Sequence, residues 1–172
     1  MLSFSISGNY TDLYQVTMGE TYFLSGKKNE TACFDYFFRK LPNRSGYVIF
    51  AGVHDVLSIL KDLHFTEDDI YYLKQLKFHD SFIEYLKGFQ FTCDIHSCVE
   101  GEIIFPNCPV LRVEGNIIEA QMVETMLLNI LNFESLIATK ASRMKQVARN
   151  RILKGEIWCY CSLLGFITRI HY

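Results

Sequence analysis

Thr11, Asp12, Tyr14 and Gln15 fall close together near the start of the chain, in the run Thr11-Asp12-Leu13-Tyr14-Gln15, and their types suit a site for a flat anion. The short oxygen-bearing side chain of Thr11 or Asp12 is suited to cap a helix, because it can accept from a first-turn amide that has no partner inside the helix. Gln15, three residues after Asp12, comes close to a capping box. Free first-turn amides and the positive end of the helix dipole attract negative charge, and the Tyr14 ring offers a face for stacking. Leu13 with Val16, and Tyr14 with Met18 and Tyr22, continue at helical spacing until Ser25-Gly26-Lys27-Lys28, which predicts a glycine C-cap with positive charge beside it. The same spacing fits Tyr14 as a core residue of an amphipathic helix, and periodicity leaves both readings open.

Arg39 and Lys40 follow a run of β-formers at 31–38 and precede Leu41-Pro42. Two cations at a strand end are either a solvated edge or a phosphate clamp, since a guanidinium presents paired donors that match phosphate oxygens. Lys140 and Arg143 share a helix face by their spacing and read as solvated. Cys93, His96, Cys98 and Cys108 have the chemistry of zinc ligands, but no Cys-x-x-Cys pair occurs and they lie in strand-like sequence, so no metal site is expected. The six cysteines are scattered, without the dense spacing of a small secreted scaffold, and free thiols are expected.

The elements that must position these groups predict an α+β fold: helices and short antiparallel strands, then a long helix. A buried strand is expected over 31–38 and a short apolar run over 47–51, leading into a helix over 52–63. Thr66-Glu67-Asp68-Asp69 opens a second helix, and residues 80–86 form a third. Short β runs at 91–98, 102–105 and 110–113, joined by tight turns, predict antiparallel neighbours. Glu114-Gly115-Asn116 then caps a helix over 117–150. That helix is apolar nearly all round in its first half, which implies a large partner surface, and Asn129 and Asn132 mark an expected kink or join. These readings divide the chain into an N-terminal domain at 1–115, a helical segment at 116–150 and a divergent tail at 151–172.

With 49% hydrophobic and 21% charged residues and three prolines, the 172-residue chain is expected to be globular. A net charge of -2 supplies no basic footprint for nucleic acid. No run approaches the roughly 20 apolar residues of a membrane span, and residues 1–9 lack the features of a signal peptide. A cytoplasmic protein without membrane contact is expected.

Several stretches together resemble the N-terminal part of nicotinate phosphoribosyltransferase, over about residues 10–148. They are Thr11-Asp12-Leu13-Tyr14-Gln15, Phe34-Asp35-Tyr36-Phe37-Phe38-Arg39-Lys40-Leu41-Pro42, Phe50-Ala51-Gly52, Pro106-Asn107-Cys108-Pro109-Val110-Leu111-Arg112-Val113-Glu114-Gly115, Glu119-Ala120-Gln121 and Leu136-Ile137-Ala138-Thr139-Lys140-Ala141. The resemblance implies an N-terminal α+β domain joined to an irregular α/β barrel, which couples nicotinate to phosphoribosyl pyrophosphate with ATP and magnesium. It further implies a site completed across a dimer, with Tyr14 stacking on the pyridine ring, Asp12 beside it or ordering the first turn, and Arg39 facing phosphate oxygens. The histidine segment and phosphate loop that the family carries in its barrel have no counterpart here, and His171 matches no such context. A fragment without the catalytic barrel is therefore expected, inactive alone and with no catalytic residue of its own. The alternatives are a non-catalytic interaction module, docking on a full-length relative, and a structural remnant.

Overall fold

A computed structural model describes residues 6–41 and 46–148, so the readings on the tail at 151–172 lie outside the described residues. Helix α1 (Leu13–Leu24) starts at Asp12, whose backbone is extended, but the Asp12 side chain makes no cap bond. The predicted cap is not formed because the carboxylate is engaged elsewhere: Asp12 Oδ2 accepts from Thr125 Oγ1 at 2.9 Å. Gln15 likewise closes no capping box. The C-terminal end follows the prediction, with Gly26 left-handed at φ 76° and Lys27 N–H donating to the Tyr22 carbonyl at 2.8 Å.

A three-stranded antiparallel sheet has the order β1 (Thr31–Tyr36), β5 (Leu111–Asn116), β3 (Asp94–Ser97). Thr31 pairs with Asn116 at one end and Tyr36 with Leu111 at the other. Strand β1 was expected to be buried; of its residues only Tyr36 is. As an edge strand it is covered on one face, and its other face carries the Asp35–Arg112 pair, with both guanidinium contacts at 3.0 Å or less. The short strand β4 (Ile103–Ile104) leaves its sequence neighbours and pairs with β2 (Val48–Ile49). This corrects the simple meander. The fully buried Phe50 fixes the departure, since its N–H donates to the Glu102 carbonyl and its own carbonyl accepts from Gly101.

Helices α2 (Val53–Lys61), α3 (Glu67–Gln75) and α4 (Asp80–Lys87) lie where the sequence predicts them. Thr66 and Asp69 form a reciprocal capping box on α3. The 117–150 pattern is two helices, α5 (Ile117–Met122) and α6 (Glu124–Ala148). The join falls at Val123 and not at Asn129 or Asn132. It lets α5 pack on α1 and the sheet while α6 packs on α2 and β2. Asn129 and Asn132 stay helical and bind Tyr10 Oη and Tyr36 Oη. The apolar first half of this segment finds most of its partners inside the domain: Ile118, Met122, Met126 and Leu131 are buried in a core that includes Val16, Phe82 and Leu86. Leu128 and Leu136 remain exposed.

Candidate functional site

The segment carrying Asp12, Tyr14 and Gln15 meets the start of α6, 109 to 113 residues later in sequence, through side-chain hydrogen bonds. Gln15 is fully buried. Its Nε2 donates to Glu124 Oε2 at 2.8 Å and to Tyr14 Oη at 3.2 Å, while its Oε1 accepts from Thr11 Oγ1 and lies 3.0 Å from Thr125 Oγ1, whose single hydrogen is shared between it and Asp12 Oδ2. Both amide hydrogens and the carbonyl oxygen are thus satisfied, as a buried amide requires. Tyr14 Oη donates to Glu124 Oε2 at 3.2 Å, and Gln121 Nε2 approaches the same oxygen at 3.4 Å. Asp12 closes the cluster through Thr125.

The rest of the Tyr14 side chain stands free, with the residue 51% exposed. Burial, followed by the Glu124 and then the Asp12 carboxylate, raises the phenol above its ordinary value of 10.0 against the opposing effect of the Gln15 hydrogen bond. Tyr14 is therefore a neutral hydroxyl donor on a half-exposed side chain. A cavity of about 110 Å³ shares Glu124 and Gln121 with this cluster, though not Tyr14 itself; it lies between the sheet and the α5–α6 pair, lined also by Phe34, Tyr36, Val113 and Leu128. An apolar floor with a few polar groups at its edge is a common arrangement for a small-molecule site.

Arg39 is not part of this cluster. It follows β1 in an exposed bend and makes no hydrogen bond or ion pair with the described residues. Its neighbour Lys40 lines a second cavity of about 200 Å³ with Tyr36, Phe38, Asn132 and Leu136. Tyr36 lines both cavities, and its hydroxyl, held by Asn132, is pushed up to about 12 by burial.

The structure brings the sequence-predicted Tyr14 and Asp12 into one hydrogen-bonded cluster with Glu124, Thr125 and Gln121, which the sequence reading did not single out. The available signal was their polarity inside an otherwise apolar stretch from 117 to 131. No group of three or more His, Cys, Asp or Glu side chains able to hold a metal ion occurs among the described residues. Burial and then Glu119 push the Cys93 thiol up to about 12, so it is a protonated, weakly nucleophilic group. No helix among the described residues is long and apolar enough to cross a membrane.

Comparison with known proteins gives one consistent result. The family model described as nicotinate phosphoribosyltransferase (NAPRTase) N-terminal domain matches residues 10–132. A nicotinate phosphoribosyltransferase of Bacillus subtilis (strain 168) is 46% identical over 144 residues, covering 83% of this chain and 29% of the relative. One of Caenorhabditis elegans is 37% identical over 144 residues, covering 80% of this chain and 25% of the relative. Among solved structures, that of human nicotinic acid phosphoribosyltransferase is similar with a TM-score of 0.77 at 28% identity, over 91% of this chain and 35% of that one. The chain therefore spans less than a third of the length of either curated relative.

Proposed function

The chain belongs to the nicotinate phosphoribosyltransferase family through its N-terminal domain, and from that premise we propose that it serves the coupling of nicotinate to phosphoribosyl pyrophosphate, giving nicotinate mononucleotide and pyrophosphate for NAD salvage. The observation that carries this reading is Tyr14, a half-exposed residue anchored at its hydroxyl to Glu124, which in turn lines a largely apolar cavity. In the proposed site Tyr14 stacks on the pyridine ring. Asp12 orders the turn that presents it, through Thr125, and Arg39 faces the phosphates of donor or product.

The chemistry is chiefly one of placement. As the bond to pyrophosphate breaks, positive charge develops on the ribose and negative charge on the leaving group, so alignment of the ring nitrogen and stabilisation of the departing phosphates lower the barrier most. The aromatic face of Tyr14 fixes the plane of the nucleophile. A guanidinium at 39 adds charge-assisted donors to phosphate oxygens. ATP hydrolysis would supply driving force and magnesium would compensate phosphate charge, and neither is assigned ligands in this chain. The remaining catalytic groups belong to a barrel domain, and we place the work in the cytoplasm with the site completed in a dimer or with a full-length relative.

The test is reconstitution. The purified chain is incubated with nicotinate, phosphoribosyl pyrophosphate, ATP and magnesium, alone and with the Bacillus subtilis protein produced without its matched segment. No mononucleotide above a blank is expected from the chain alone. The mixture is expected to make product, and Tyr14→Ala is expected to remove it. Turnover by the chain alone would overturn the assignment of the catalytic groups, and an inert mixture of two folded, associated parts would overturn the reading as a whole.

A further inference from the structure

We propose that Glu124 is the positioning residue of this site: from the first residue of α6 it sets both the axis and the plane of the Tyr14 ring before any ligand arrives. The inference rests on the reading of Tyr14 as a stacking platform. Its basis is the closed triangle of hydrogen bonds around the phenol. Tyr14 Oη donates to Glu124 Oε2 and accepts from Gln15 Nε2, each at 3.2 Å, and Gln15 Nε2 also donates to the same Glu124 oxygen at 2.8 Å. An exposed tyrosine ordinarily moves about two side-chain torsions. Anchoring the hydroxyl at the far end of the ring fixes the line from the backbone to the oxygen, which removes the first of these freedoms. The second is limited by the electronic structure of phenol: the oxygen lone pair conjugates with the ring, so the O–H bond favours the ring plane. A donor held to one acceptor and an acceptor held by one donor then define that plane.

The anchor is itself stiff. Gln15 is 0% exposed and has no unused hydrogen-bonding group, its carbonyl oxygen accepting from Thr11 and lying beside the Thr125 hydroxyl. Thr125 is tied to Asp12 by its hydroxyl and by the Asp12 N–H at 3.3 Å. The Glu124 carboxylate gathers donors from both helices that meet it: Tyr14 and Gln15 from α1, and Gln121 from α5. The join at Val123 therefore has a role beyond packing. It makes Glu124 the opening residue of a new helix, from which its carboxylate reaches the donors of α1. A platform ordered in advance lowers the entropy lost when a flat ring binds to it.

The experiment uses the full 172-residue chain with ring-labelled tyrosine, in wild type and in Tyr14→Phe, Tyr14→Ala, Glu124→Gln, Glu124→Ala and Tyr14→Phe/Glu124→Ala. Two quantities are read by nuclear magnetic resonance: the order of the Tyr14 ring, with Tyr22 and Tyr85 as internal controls, and the affinity for nicotinate. Glu124→Ala should lower the order of Tyr14 alone, and Glu124→Gln should do so to a smaller extent. Tyr14→Phe and Glu124→Ala should each weaken nicotinate binding by about three- to tenfold, the range of one net hydrogen bond, and the double variant should be no worse than either single one. Unchanged Tyr14 order in Glu124→Ala, or fully additive losses, would overturn the positioning role and leave Glu124 as a tie between helices. Loss of Tyr14 order without any effect of Tyr14→Ala on nicotinate would support the positioning and overturn the stacking reading on which its purpose depends.

Discussion

Glu134 is the buried carboxylate whose surroundings most oppose its charge. It is 9% exposed on α6 and packs against Gly52, whose φ of 103° would strain any side chain and where an added Cβ would lie a tight 3.3 Å from Glu134 Cβ. Burial first, then Asp55 and more weakly Glu100, push its carboxyl from the ordinary 4.5 up to about 8. A folded value above the unfolded one means that the folded state holds the proton more tightly, so this contribution to stability is fully present below about 4.5 and is lost as pH rises through about 8. The slope between those limits is about 1.4 kcal/mol per pH unit at most. Glu134→Gln keeps the shape and removes the charge, so its melting temperature is expected to vary less between pH 5 and 8 and to exceed that of wild type at pH 8. Parallel melting curves for the two proteins across this range would refute the assignment. Such effects are hidden from the sequence, where Glu134 looks like an ordinary polar break in an apolar helix. The same limit applies at the candidate site: the start of α1 was legible in the run around Asp12, but the cap expected there is not formed, because Asp12 binds Thr125 and Tyr14 binds a carboxylate 110 positions away.

At the scale of elements, local chemistry was a good guide and tertiary pairing was not. The capping box of Thr66 and Asp69, and the cap at Asn116, lie within three residues of what they cap and could be read directly. Asn116 Oδ1 accepts from the Ile118 and Glu119 amides at 2.9 and 3.4 Å, and its Nδ2 donates to the Lys28 carbonyl at 2.6 Å. One side chain thus starts α5, ends β5 and holds the chain between α1 and β1. Asn116→Ala is expected to cost about 1–2 kcal/mol, toward the upper end for a cap because a distant carbonyl also loses its partner. Chemical denaturation measures this, and a loss below about 0.5 kcal/mol would show that water replaces the side chain at both places. By contrast, the pairing of β4 with β2 depends on Phe50 finding the core, and the join at Val123 depends on α5 and α6 having different partners. Neither leaves a periodic signal, because both halves of the 117–148 pattern are individually good helices. The exposed face of β1 was missed for a related reason: β-formers mark a strand, but whether it is central or at an edge is set by the order β1-β5-β3.

For the whole molecule, the unsettled balance is between surface that the fold covers and surface that it leaves to a partner. The core absorbs most of the apolar first half of the α5–α6 pair, yet Tyr10, Leu13, Tyr14 and Met18 on or before α1, Leu128 on α6, and Phe34 on β1 are all more than a third exposed. These are not scattered singly. Tyr14 binds Glu124, Leu128 stands one helical turn further on, and Phe34 lines the same cavity as Glu124 and Leu128. A contiguous apolar patch of this kind ordinarily marks an interface, and a net charge of only -2 opposes association weakly. Association through it is expected, most simply with two-fold symmetry, since the same patch can then serve both copies. Light scattering over a concentration series should show a mass rising above 20.0 kDa. Phe34→Glu with Leu128→Glu, both on partly exposed side chains, should hold the mass at the monomer value, with a cooperative thermal melt showing that the variant is folded. A wild-type chain that stays monomeric throughout, or a double variant that associates as well as wild type, would move the interface away from this face and with it the argument that the candidate site is completed there.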